Sequence, residues 1–261
     1  MAGVIPKSEK RAIRRIMRDV KGVKELEEMG IYVYYDPDKT FNAKALIIGP
    51  SDTPYEKGYF LFNIKFPKNY PFSSPDVKFM TGDGKTRFHP NLYVKGKVCL
   101  SILGTWSGPS WTSSQNLSSV LASIQSLMDD QPLRNEPGFE NEKGARSKTF
   151  SRIVQHQVYA VSVLNQLNKC PLGFENLYPH MKKHFVENFN WYLCLLNTLS
   201  DKPIPGGKKS EKSVYGGDRI KYNYRGILNG LLQVYNDLTE SSDEIILTEE
   251  TLKTISAPVS I

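Results

Sequence analysis

Between residues 31 and 81 the apolar residues fall into four short runs, IYVYY, FNAKALII, YFLFNIKF and DVKFM. The separators DPDKT, GPSDTPYEKG and PKNYPFSSP are rich in Pro, Gly, Asp and Ser, which stop strands and favour turns. Connections this short cannot carry crossover helices, so each strand must pair with the next in antiparallel sense. A four-stranded meander is the expected centre of the fold.

Helices are expected around it. Residues 8–29 place Ile13, Ile16, Val20, Val23 and Leu26 at three- and four-residue steps, with Ser8 as N-cap and Gly30 as the stop. The other face of that helix carries Lys10, Arg11, Arg14, Arg15 and Arg18. Residues 82–116 show little periodicity and read as a long ordered loop anchored by Phe88, Trp106 and Trp111. A central helix follows at 117–128, then a polar, proline-broken segment, then helices at about 148–167, 177–200 and 222–239. The predicted class is α+β, with a core over 1–165 and a helical extension over 166–261. In the extension Phe185, Phe189, Tyr192 and Leu196 recur at helical steps, as do Leu228, Leu231, Leu232 and Tyr235. Such faces must be buried, so the extension is expected to pack on the core as one body. The Gly-, Lys- and Pro-rich stretch 201–219 reads as a flexible loop and the last 20 residues as a mobile tail.

Only three cysteines occur, Cys99, Cys170 and Cys194, which argues against a disulfide framework and for a reducing compartment, cytoplasm or nucleus. No run approaches 18 apolar residues and the N-terminus lacks a signal-peptide core, so no membrane association is expected. No zinc-ligand spacing, phosphate loop or dinucleotide fingerprint is present, so neither metal nor cofactor is expected. The formal charge of +7 suggests an acidic partner, the alternative being a basic surface kept for solubility. RRIMRD reads as a protein-docking helix rather than a nucleic-acid reader.

Cys99 lies in KVCLSIL after a glycine-containing turn. A thiol so flanked is either a packed core residue or a nucleophile in a specialised loop. Eight residues upstream is Asn91, in His89-Pro90-Asn91. An Asn amide held beside a thiol can donate to a developing oxyanion. His89 is the one nearby candidate base, but the following proline restricts its backbone and a hydrogen-bonding role within the loop fits better. An ordinary thiol is only a few per cent ionised at neutral pH. That suits an enzyme whose acyl group arrives already activated, and suits a hydrolase poorly.

GPSDTPYEKGYFLFNIKFPKNYPFSSPDVKFMT, followed by FHPN and GKVCLSIL, closely resembles the core of ubiquitin-conjugating enzymes. Tyr70-Pro71-Phe72 with Pro75, the His-Pro-Asn triplet, and the cysteine eight residues after the Asn agree in order and spacing, and the resemblance covers roughly residues 8–165. LSILGTWSGPSWTSSQNLSSVLASIQSLM and NEPGFE are similar to the Z-type branch, which also has a helical C-terminal extension. The resemblance implies the UBC fold: a four-stranded antiparallel sheet with an N-terminal helix, a central helix and C-terminal helices. It also implies an acyltransferase that takes ubiquitin, or a ubiquitin-like modifier, from an activating enzyme as a thioester. The modifier is then passed to a lysine of a protein substrate or to a ligase cysteine.

By the same resemblance Cys99 is the nucleophile, and Asn91 supports the oxyanion or the loop that holds it, with His89 and Pro90 structural beside it. Glu136, before Pro137, stands near an acidic position that orients the incoming lysine. The alternative for Glu136 is a solvated loop carboxylate. Ser101 replaces the family's usual Asp, as in the Z-type branch. Arg14, Arg15 and Arg18 match the face that docks the activating enzyme, the alternative being a solvated helix face. Phe72, Ser107 and Pro109 match the ligase-docking loops. The rival function is a catalytically silent module that binds ubiquitin or a ligase.

Overall fold

The computed structural model describes residues 6–202, 204 and 207–240; the expected tail lies outside them. Helix α1 (Lys7–Gly22) continues as a 3-10 turn over Val23–Met29, closed by Gly30 at φ 76°. The N-cap is Pro6, not Ser8, and makes no side-chain cap bond. Strands β1 (Ile31–Tyr35), β2 (Asn42–Ile48), β3 (Tyr59–Lys65) and β4 (Asp76–Phe79) form one sheet in sequence order, every neighbouring pair antiparallel. The register pairs Val33 with Ala45, Ala45 with Phe62, and Phe62 with Phe79. β3 buries Tyr59, Phe60, Leu61, Phe62 and Ile64, so it is covered on both faces, which is why its sequence is a nearly unbroken apolar run. β4 instead alternates exposed and buried residues.

Helix α2 (Leu117–Leu127) starts at a capping box: the Asn116 side chain accepts from Ser119 N (2.8 Å), and the Ser119 hydroxyl accepts from Asn116 N (3.1 Å). Its buried face is Leu117, Val120, Leu121 and Ile124, and Gln125 donates to the backbone of Met29 (2.7 Å). α1 packs on α2 through a buried polar junction. The Asp19 carboxylate accepts from Arg15 Nε (2.7 Å), from the Tyr70 hydroxyl, and from Leu117 N (3.3 Å) at the first turn of α2. A carboxylate there meets the positive end of the helix dipole. Burial and the adjoining Asp19 hold the Tyr70 phenol well above its usual range. Helix α3 (Ala145–Gln157) runs into a π-helical stretch, Val158–Asn165, and a last turn, α4 (Gln166–Asn168).

The chain divides into two compact units. One comprises the residues up to Val163 together with Ser213–Gly217; the other comprises Leu164–Lys212 and the residues from Asp218 on. In the second unit the helix expected over 177–200 is two, α5 (Tyr178–Glu187) and α6 (Phe189–Asp201). They part at Asn188, whose side chain bonds back to His184 O (2.8 Å) and competes with the helical backbone pattern. α7 (Tyr224–Glu240) completes this unit. The two expected apolar faces meet here: Phe189 stacks on Tyr235 at 3.8 Å, and Phe185, Tyr192, Leu196, Leu228 and Leu231 are buried. A cysteine within the apolar run Trp-Tyr-Leu-Cys-Leu-Leu is expected by default to pack, but Cys194 is exposed, on the side of α6 away from the buried Tyr192, Leu193 and Leu196. The expected loop 201–219 holds two strands, β5 (Ser210–Ser213) and β6 (Gly216–Lys221), paired around Val214–Tyr215. Gly216 and Gly217 adopt positive φ there, so the glycines mark a tight turn rather than a tether. No helix among the described residues is long and apolar enough to cross a membrane.

Candidate active site

The ordered loop after β4 is built by backbone pairing that its composition hides. Lys78 bridges Lys97, and Leu92 bridges both His89 and Val98, so residues 89–98 fold back beside the sheet. Phe88 is wholly buried, and its carbonyl accepts from the Tyr55 hydroxyl (2.8 Å). Two reciprocal bonds join the ends of the fold-back: Cys99 N donates to Asn91 O (2.9 Å), and Asn91 Nδ2 donates to Cys99 O (2.9 Å). The spacing of eight residues is therefore the length of this backbone clasp. The Asn91 amide spends one hydrogen on it and keeps a second, while Oδ1 is buried with no partner among the described residues.

His89 is also enclosed, and its Nδ1 accepts from Asn91 N (3.0 Å). Burial pushes its pKa down to about 3, with the Leu127 backbone opposing and the Arg87 charge adding to the effect. The imidazole is held neutral by burial, and its Nδ1 is committed to the backbone. Among the described residues it makes no hydrogen bond to the Cys99 thiol, so it does not form the Cys–His pair of a thiol hydrolase.

Cys99 is 1% exposed. Beyond it, Ser101–Leu103 makes a 3-10 turn, and Thr105 folds back: its hydroxyl accepts from Leu100 N (2.9 Å) and donates to Val98 O (2.7 Å). Gly108 brings the loop close to Ser101, where a Cβ on it would lie 2.9 Å from the serine Cβ. Trp111 donates to Pro71 O (2.7 Å) and so ties this loop to Tyr70-Pro71-Phe72. Trp106 is 39% exposed, so it is not the buried anchor expected.

Of the docking candidates, Phe72 is 67% exposed, and Ser107 and Pro109 are exposed on the loop after Cys99. Phe72 shares a groove of about 380 Å³ with Pro71, Arg11, Arg14, Arg15, Arg18 and Ser113; Ser107 and Pro109 do not line it. The three arginines singled out are not equivalent. Arg14 and Arg18 are exposed, whereas Arg15 is bonded to Asp19, to Ser113 O (2.9 Å) and to Gln115 O (2.6 Å).

Glu136 follows a 3-10 turn over Pro132–Asn135. It is half-buried rather than solvated, and its Oε2 accepts from the Tyr215 hydroxyl (2.5 Å). Arg87, which sequence reasoning missed, donates from Nε to His89 O (3.1 Å) and from Nη2 to Pro90 O. Its guanidinium lies 3.5 Å from the ring centre of Tyr93 and 4.6 Å from that of Tyr215. Arg87 had a visible signal, a charge two residues before the triplet. Tyr215 had none, standing 79 residues from its partner. Among the described residues no group of three or more His, Cys, Asp or Glu side chains could hold a metal ion.

This frame has known counterparts. The family model described as "Ubiquitin-conjugating enzyme" matches residues 15–159. The chain is similar to ubiquitin-conjugating enzyme E2 Z of Danio rerio, with 39% identity over 239 residues, 90% of this chain and 71% of the relative. It is also similar to the protein of that name in Xenopus tropicalis (38% identity, 90% of this chain and 74% of the relative). The Homo sapiens protein is 46% identical over 68% of this chain and 51% of its own length. With the model covering more than half of its residues, the chain belongs to the ubiquitin-conjugating enzyme family.

Proposed function

We propose that Cys99 accepts ubiquitin or a ubiquitin-like modifier as a thioester from an activating enzyme and passes it to a lysine amine or a ligase cysteine. The observation that supports this reading is the Asn91–Cys99 clasp, a nucleophile on a loop joined by two reciprocal bonds, with an amide beside it and no histidine bonded to the thiol. A pre-activated thioester needs no strong base, because an incoming amine attacks the carbonyl and thiolate is a good leaving group. The remaining demands are positioning and charge stabilisation, and well-oriented intramolecular systems gain roughly 7–11 kcal/mol from positioning. The second Asn91 hydrogen is available to the tetrahedral oxyanion, a contribution of about 3–4 kcal/mol in comparable sites. Glu136, beside the same loop through Tyr215 and Arg87, is read as the group that orients the amine. The exposed Arg14 and Arg18 are read as the activating-enzyme contact, and Phe72, Ser107 and Pro109 as the ligase contact. Cys99 is buried in the uncharged protein, so acylation has to be accompanied by local opening.

The test is incubation with ubiquitin, an activating enzyme and ATP. A reductant-sensitive adduct on the wild-type protein, absent from Cys99→Ala, is expected. No adduct with any activating enzyme would leave the silent binding module as the better account.

A further inference from the structure

Tyr215 joins two elements of the first unit that the sequence keeps apart. Its hydroxyl donates to Glu136 Oε2 at 2.5 Å, and its ring packs edge-on against Phe150 at 5.7 Å. The Arg87 guanidinium lies 4.6 Å from the centre of the same ring and 3.5 Å from that of Tyr93. Arg87 directs its Nε at His89 O and its Nη2 at Pro90 O, the backbone immediately before Asn91. The path then runs through the Asn91–Cys99 clasp to the nucleophile. One side chain thus fixes the carboxylate of the 132–140 segment and, through Arg87, the loop that presents the thiol. Gly216 and Gly217 follow directly at positive φ, so the tyrosine is delivered from a sharp turn with little slack.

We infer that Tyr215 is a positioning residue for the transfer step, holding Glu136 in place relative to the His89–Asn91 loop. The inference rests on the proposed thioester reading. Two parts of the side chain have separable duties: the hydroxyl places Glu136, and the ring braces Arg87. Tyr215→Phe removes the first and keeps the second, whereas Tyr215→Ala removes both. A hydrogen bond to a charged carboxylate is among the stronger kinds. Its loss should therefore slow discharge to free lysine about ten-fold, if the placement it secures is needed when the amine attacks. The loss should fall on the maximal rate rather than on the lysine concentration that gives half of it. Because Tyr215 acts through Glu136, its effect should vanish in a Glu136→Gln background.

The experiment charges wild type, Tyr215→Phe, Glu136→Gln and the double variant, removes ATP, and follows discharge to lysine; melting temperatures are measured alongside. The inference expects equal charging of all four, slow discharge of both single variants, and a double variant no slower than Glu136→Gln. Wild-type discharge rates in Tyr215→Phe, or additive losses in the double variant, would overturn it and leave the thioester reading intact. Failure of the wild type to charge would overturn both. Tyr215→Ala separates stability from placement, since a lowered melting temperature restored by Tyr215→Phe without restored discharge assigns the rate to the hydroxyl alone. Restoration of discharge by Tyr215→Phe would likewise refute the inference.

Discussion

Arg15→Ala should unfold the first unit early, although the residue sits in a row of surface arginines. Its Nε meets the buried Asp19 carboxylate at 2.7 Å, and its two terminal nitrogens reach Ser113 O and Gln115 O at 2.9 and 2.6 Å. Removing the guanidinium strands one charge-assisted bond, of about 1.5–3 kcal/mol, and two backbone carbonyls just ahead of α2. The Arg15 side chain is 21% exposed and water can reach part of the gap, so a total near 3 kcal/mol is expected. For a unit of this size each kcal/mol moves the midpoint by about 2–4 °C, which gives a fall of about 6–12 °C. Arg14→Ala and Arg18→Ala, exposed and outside any such junction, should stay within about 0.5 kcal/mol of the parent. Their effect should be on charging instead, at low activating-enzyme concentration and most strongly at low salt. The assay pairs calorimetric melting with initial charging rates at two ionic strengths. If Arg15→Ala melts with the parent, or if the three variants lose stability alike, the division of this face into a structural and a docking part is refuted.

Cys99→Ala should abolish thioester formation while Cys170→Ser and Cys194→Ser charge fully; alkylation of the folded protein should modify exposed Cys194 first and buried Cys99 last. Mass spectrometry after timed quenching reads that order, and fast labelling of Cys99 would contradict its enclosure. Asn91→Ala should charge nearly normally but discharge to lysine more slowly by a factor on the order of 10²–10³; equal slowing of both steps with a lowered melting point would make Asn91 purely structural. His89 titrates near 3 when folded and about 6.5 when unfolded, so the unfolded chain binds the extra proton between those values. Its stabilising contribution is whole above pH 6.5 and lost as pH falls, by about 1.4 kcal/mol per unit, and His156, also lowered by burial, acts in the same direction. Urea midpoints from pH 7 to pH 4 measure the slope, which His89→Gln should reduce; an unchanged slope would mean that His89 is not buried neutral.

The central sheet was legible because each strand is a short apolar run closed by turn residues, and β1 begins and ends where that pattern does. The Asn91–Cys99 relation was legible for a similar reason: both ends of the clasp lie within one continuous fold-back. The sequence hid the features made by residues far apart. A helical wheel places Arg15 among Arg11, Arg14 and Arg18 but says nothing of carbonyls 98 and 100 residues away. Glu136 has no sequence cue for Tyr215, and β5 and β6 are short, polar and glycine-linked, so they read as coil. Cys194 misled because Trp-Tyr-Leu-Cys-Leu-Leu is apolar all round, and only the packed helix reveals which side faces water. Asn188 misled because an Asn inside an apolar periodicity can be tolerated or can end a helix, and its bond to His184 O decides for the second.

The close approach of Gly108 to Ser101 makes two positions behave as one choice. With φ at 132°, residue 108 is already costly for anything but glycine, and the space where its side chain would go is filled by the serine. A longer residue at 101, such as an aspartate, would have to push the 104–111 segment outward, which would loosen the Thr105 bonds to the backbone of Val98 and Leu100. Substitution at 101 should therefore be paired with a change in the length or path of that segment, and a chimera exchanging only one of the two should fold with a disordered rim beside Cys99.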